Sequence, residues 1–146
     1  MSHNKRHNKL IGTALLMLCF AVADVHSEVV VVVAAETPIN KLSKTQVAKI
    51  FLGKSRRFPD GSRALPLNQN EGSADRDDFY RRVSGKSPAQ VKAHWSKLIF
   101  TGRGQPPKEA ADSAAVKYQL THSGANIGYI DRAAVDDSVK IVAIKQ

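Results

Sequence analysis

Cysteine is nearly absent: Cys19 is the only one in 146 residues, and it lies inside an apolar run close to the N-terminus. If that run is removed on export, the remaining chain has no disulfide and no thiol chemistry, so its stability rests on its core. Leu18 precedes Cys19 where a lipid-attachment signal needs a small residue, which argues against a lipid anchor. Histidine gives no metal site either. His3, His7 and His26 fall in the first 27 residues, and His94 and His122 stand alone without an HxH or HExxH partner. No metal or other cofactor is expected. Aromatic residues make up only 6% of the chain and no nucleic-acid-binding motif is present, so nucleic acid is not expected as a partner. There is no GxSxG elbow; Ser73, His122 and Asp131 occur without the spacing of a hydrolase, and no reaction is implied. No repeat or low-complexity stretch appears, and no apolar run reaches the ~20 residues of a membrane-spanning helix.

What is present at the N-terminus reads as a targeting segment. Lys5, Arg6 and Lys9 precede the apolar run Leu10 to Val22, and Ala21-Val22-Ala23 has the small-x-small form of a cleavage site. The expectation is a signal peptide over residues 1–23, with cleavage as late as 27, then one domain over 28–146 in the periplasm or outside the cell, not spanning the membrane. Lys and Arg number 22 against 13 Asp and Glu; residues 1–27 hold three of the basic and one of the acidic, leaving 19 against 12. That balance favours anionic partners, and it equally describes a lysine-rich soluble surface.

The rest of the chain alternates strand and helix signals. EVVVVVAA, Glu28 to Ala35, is an unbroken β-branched run suited to a central strand covered on both faces. Asn40 to Phe51 reads as a helix capped by Ser43, with Gln46 completing a capping box and Gly53 just beyond its end. KSRRFPDGSR, residues 54–63, is a basic loop around a Pro-Asp-Gly turn: an anion patch, or a solvated face. A short strand, Ala64 to Asn68, leads to a helix after Ser73 that stops near Ser84-Gly85. Ser87-Pro88 starts another, with Val91, Trp95, Leu98 and Ile99 inward and Trp95 as a core anchor. A further helix is expected over Glu109 to Thr121, with Ala111, Ala114, Ala115, Tyr118 and Leu120 inward. Strands over Asn126 to Ile130 and Ser138 to Ile144 follow. The fold class is α/β, a small mixed sheet flanked by helices.

The stretch PLNQNEGSADRDDFY, Pro66 to Tyr80, organises the chain. A strand ends in a Gly-containing loop, and Ser73 caps a helix whose free N–H groups suit an anion, although a capped helix needs no ligand to explain it. Asp77–Arg81 and Asp78–Arg82 are i, i+4 pairs of a salt-bridged helix surface.

IFLGK at 50–54, Gly72-Ser73 with Phe79, GANIGY at 124–129 and the KIVAI segment at 140–144 occur in the order seen in the phosphate-binding family of periplasmic solute-binding proteins, which the chain resembles over nearly all of residues 28–146. The resemblance implies a single lobe of the periplasmic-binding-protein type (type II), non-catalytic, binding phosphate or a similar small oxyanion and serving an ABC transporter. It puts Gly72 and Ser73 at the ligand, where Arg76 would add charge and Asn70 and Gln69 amide donors, and an ABC-transporter permease or another envelope protein as partner. The departures are specific. Ala74-Asp75 stands where the family has Gly-Thr, Gln69 where it has arginine, and the chain is about half the family's length. Asp75 repels an anion a turn away, which Arg76 offsets only if its side chain turns inward. The alternative is an interaction module that kept the lobe and lost its ligand, docking through the basic loop at 54–57 and Gly102-Arg103-Gly104.

Overall fold

The five valines Val29 to Val33 are buried on both sides of a sheet, as their unbroken run demands. They belong to a computed structural model that describes residues 28–146. The expected signal peptide lies outside the described residues. Along the chain come β1 (Val29–Ala34), β2 (Lys41–Ser43), α1 (Lys44–Phe51), β3 (Leu65–Gln69), α2 (Ala74–Ser84), α3 (Pro88–Phe100), β4 (Lys108–Ala110), α4 (Ser113–His122), β5 (Asn126–Asp131), a 3-10 turn (Arg132–Ala134), β6 (Val139–Ile141) and β7 (Ala143–Lys145).

The main sheet has five strands in the order β4-β3-β5-β1-β6, and β2 with β7 makes a separate parallel pair. It is mixed, as expected. β3 runs parallel to β4 and β5, whereas β1 is antiparallel to β5 and β6. The alternation along β1 divides the core. Val29, Val31 and Val33 face a larger cluster with Phe51, Phe79, Tyr80 and Trp95 from α1, α2 and α3. Val30 and Val32 face a smaller one with Val116 and Leu120 of α4. Each such fully buried side chain contributes roughly 1.5–3 kcal/mol relative to exposure, which is how one helix on one face and three on the other hold the sheet.

The helix starts follow the serines. Ser43 and Ser87 each accept from the third residue on, and the Gln46 and Gln90 side chains accept from the cap N–H, so both form capping boxes. Gly85 ends α2 in the left-handed conformation. Trp95 is a core anchor, 5% exposed, and its ring lies on Gly53, where an added Cβ would come 2.8 Å from Trp95 Cη2. His94 Nε2 is 2.8 Å from the Leu52 carbonyl, tying α3 to the end of α1.

Three expectations need correction. The helix over Glu109 to Thr121 starts later, because residues 108–110 pair with Leu67–Gln69 as β4 and Asp112 caps the helix at Ser113. With that start the inward pair is Val116 and Leu120, and Tyr118 is 64% exposed. Ile99 also leaves the inward stripe of α3, at 51% exposure. The final strand is divided: β6 pairs with β1 and β7 crosses to β2.

Candidate functional site

The carboxyl end of β3 carries two buried polar residues, Asn68 and Gln69, and this is what builds the turn after it. Buried amides need partners. Tyr129 on the neighbouring β5 supplies most of them: its hydroxyl donates to Asn68 Oδ1 at 2.7 Å and accepts from the Gln69 backbone N–H at 3.0 Å, while Asn68 Nδ2 has no partner among the described residues. Gln69 Nε2 donates to the Tyr129 carbonyl at 3.2 Å, which leaves Oε1 to accept from the Ser73 hydroxyl at 3.0 Å. Gln69 therefore stands at the family's arginine position as a brace between β5 and the start of α2. Phe79 stacks on the Tyr129 ring, with centroids 4.0 Å apart and planes 9° from parallel, fixing the phenol from below. Burial pushes the Tyr129 hydroxyl well above the ordinary phenol range, and it pushes Tyr80 up to about 12, so both rings stay neutral donors.

Ser73 caps α2 as the sequence indicates, accepting from the Arg76 N–H at 3.4 Å. Its own donors are both engaged inside the turn: the hydroxyl with Gln69, and the backbone N–H with the Asn70 carbonyl at 3.1 Å. Gly72 adopts φ +89, a conformation that a side chain would strain. Among the described residues the Gly72, Ala74 and Asp75 amides have no hydrogen-bond partner, which leaves the positive end of α2 with free donors.

The Arg76 side chain turns inward. Nη1 donates to the Gln69 carbonyl at 2.9 Å and to Glu109 Oε1 at 2.8 Å, and the side chain is 12% exposed. The guanidinium thus lies over the turn, and the carboxylate it meets comes from β4. Glu71 pairs with Lys92 of α3 at 3.1 Å on the other side. Arg76, Tyr80, Trp95 and Glu109 line a cavity of about 230 Å³ between α2, α3 and the strand edge; Gly72 and Ser73 do not line it. On α2, Asp78–Arg82 forms at 2.8 Å, and Asp77–Arg81 is not among the ion pairs of the described residues.

Of the five residues expected at the site, Gln69, Ser73 and Arg76 interlock directly, while Asn70 and Gly72 form the turn between them. The basic loop and Gly104 lie elsewhere, at the end of the sheet where β3 and β5 begin. His94 and His122 bond backbone carbonyls, and no hydrogen bond joins either to Ser73. Sequence reading missed Tyr129, Asn68 and Glu109. A polar pair inside a strand, as at Asn68-Gln69, is the signal that a buried partner such as Tyr129 exists.

This mixed sheet flanked by helices is a fold of the periplasmic-binding-protein type, and solved phosphate-binding proteins share it. A Clostridium perfringens protein described as a phosphate ABC transporter substrate-binding protein, solved with bound phosphate, matches with a TM-score of 0.62 at 22% identity, over 80% of this chain and 44% of its own. An ABC-type phosphate transport receptor from Vibrio cholerae matches at 0.63 with 17% identity, over 80% and 46%. PstS from Borrelia burgdorferi matches at 0.56 with 11% identity, over 81% and 47%. The chain spans less than half the length of each. No protein-family model and no curated protein sequence matches it. Among the described residues no helix is long and apolar enough to cross a membrane.

Proposed function

We propose that the chain is an exported, non-catalytic solute-binding domain that recognises a small oxyanion, phosphate above all, at the Gly72-Ser73 start of α2, and that it works with an ABC-transporter permease. The observation that carries this reading is the inward Arg76: its guanidinium is held by the Gln69 carbonyl beside the free amides of a helix start. A cation and unpaired N–H groups carried by one turn and the helix start that follows it are what an oxyanion needs. The fold shared with phosphate-binding proteins supports the same ligand class. Glu109 then acts as an internal counterion that phosphate displaces, and the shallow, water-accessible site makes for modest affinity.

A second reading has its own observation. Both Ser73 donors are used within the turn and Arg76 is already neutralised, which suits a lobe that docks a protein and binds no solute. Isothermal titration with phosphate at low salt separates the two. Saturable heat that disappears in Arg76→Ala supports the oxyanion site. Silence with phosphate and sulfate alike would discard it and leave the docking module.

A further inference from the structure

The basic loop of residues 54–63 has a place in the fold that the Gly-Ser turn does not use. It folds as a small hairpin, with Ala64 N–H on the Arg56 carbonyl at 2.9 Å and an isolated bridge between Arg57 and Arg63. The hairpin's one acid, Asp60, is occupied by its own turn, accepting from the Ser62 N–H at 2.9 Å and the Ser62 hydroxyl at 2.6 Å. Arg57 bonds the Gly61 carbonyl. Lys54, Arg56 and Arg63 remain, all exposed and absent from every ion pair of the described residues, and the two arginines lie at the hairpin's base.

These two arginines stand at a cavity of about 410 Å³ that reaches across the beginnings of β3 and β5. Lys108 joins them, its amine bonded only to the neutral Gln119 side chain at 3.3 Å. Among the described residues no Asp or Glu lines the cavity, which leaves three positive charges at it without an acidic partner there. Part of its wall is apolar, with Leu65, Leu67, Pro106, Pro107 and the Trp95 ring, and Gln105, Gln119 and Asn126 add amides. Two glycines shape that wall. A Cβ at Gly53 would strike Trp95 at 2.8 Å, and one at Gly104 would touch the same ring at 3.8 Å, so both glycines let the backbone pack closely on the indole at the cavity wall.

We propose that this cavity binds a small amphipathic anion, its apolar body against Trp95 and the prolines and its carboxylate, sulfonate or phosphate head between Arg56, Arg63 and Lys108. The volume falls in the roughly 300–1,000 Å³ range of small-molecule sites, and an apolar wall with a few converging polar groups is their usual makeup. Inorganic phosphate alone would leave the wall unused. An extended peptide is disfavoured because Pro106 and Pro107 lead into edge strand β4 and offer no N–H for strand addition. The cation cluster is separate from the Gly-Ser turn, which follows the opposite end of β3, and the two cavities share only Trp95 and Pro106 in their walls.

Trp95 is the only tryptophan and lines both this cavity and the one beside Arg76, so intrinsic fluorescence reports occupancy and the variants assign it to one of the two. The protein is titrated with octyl phosphate below its micellar concentration at low salt, with calorimetry in parallel. A saturable response is expected, weakened at least tenfold in the double variant Arg56→Glu/Arg63→Glu and at least tenfold with 1-octanol in place of the anion. Lys108→Glu gives a second, separate loss, and Arg76→Ala, which removes the guanidinium of the oxyanion site, leaves octyl phosphate binding unchanged, which keeps the two sites distinct. Absence of saturable binding by both methods overturns the proposal, as does equal affinity in the charge-reversed variants when circular dichroism shows them folded. Recruitment to phosphatidylglycerol vesicles without binding of octyl phosphate would overturn it as well, since the basic rim would then serve a bilayer.

Discussion

Arg76 Nη1 and Glu109 Oε1 are 2.8 Å apart, with the arginine side chain 12% exposed and the glutamate 49% exposed. The pair joins α2 to edge strand β4 and sets a negative charge where an incoming oxyanion would meet the guanidinium. Because Glu109 is half in water, its attraction is screened to about 1 kcal/mol or less. If Arg76 holds the proposed oxyanion, Glu109→Gln leaves folding nearly unchanged and strengthens phosphate binding up to about fivefold, since ~1.4 kcal/mol is tenfold. Calorimetric comparison of the variant with the parent checks this; weaker binding in Glu109→Gln would show that the carboxylate helps to hold the ligand.

Gly53 and Trp95 make a second close relationship. Gly53 has φ +73, and a Cβ there would lie 2.8 Å from the indole. Gly85 has φ +67 with nothing near its missing Cβ. Alanine at either position incurs a left-handed penalty of about 1–2 kcal/mol. Only Gly53→Ala also displaces Trp95 from the core. Denaturant midpoints should show Gly53→Ala more destabilising than Gly85→Ala by at least about 1 kcal/mol, from overpacking. Trp95 emission should shift in the first variant alone; equal losses would mean that the ring moves aside freely.

Much of this fold is legible in local chemistry. Ser43, Ser73 and Ser87 mark three helix starts because a cap acts within four residues, and the valine run marks a strand buried on both faces because no polar position interrupts it. What escapes is decided by distant partners. The three-residue strands β2 and β4 exist through pairing with β7 and β3, and the antiparallel placement of β1 against β5 depends on registers about a hundred residues apart. Tyr118 looks apolar enough for the core, yet Gly128 on β5 admits Val116 at its place and turns Tyr118 outward. At the candidate site the turn, cap and arginine are readable, while Glu109 and Tyr129 are brought in by the sheet.

The Tyr129 hydroxyl serves two buried groups, the Asn68 amide oxygen and the Gln69 N–H. Tyr129→Phe removes both bonds without changing the ring stacked on Phe79. Each orphaned group carries a desolvation penalty of about 1–3 kcal/mol, so a loss of roughly 2–6 kcal/mol is expected in urea unfolding. Slackening of Gln69 should also free the Ser73 hydroxyl, and amide exchange at residues 70–76 should accelerate. A loss below about 1 kcal/mol would mean that water reaches both groups.

Tyr80 supplies the test in alkali. Its phenol is pushed up to about 12, mainly by burial, and burial raises Tyr129 in the same direction. A raised folded-state value means that the unfolded chain gives up the proton first, from about pH 10, while the folded chain keeps it. The stability contributed by the neutral phenol is therefore complete below pH 10 and declines as pH rises through 10 toward 12. The slope approaches about 1.4 kcal/mol per pH unit for each such tyrosine. Tyr80→Phe removes one titrating group along with a long 3.4 Å bond to the Phe51 carbonyl, whose loss is independent of pH in the range below 10. Urea midpoints of parent and Tyr80→Phe measured from pH 8 to 11 should keep a constant gap to about pH 10 and then converge. Taking the difference cancels the lysines, which titrate in both proteins. A gap that stays constant to pH 11 would show that the Tyr80 hydroxyl is solvated in the folded state.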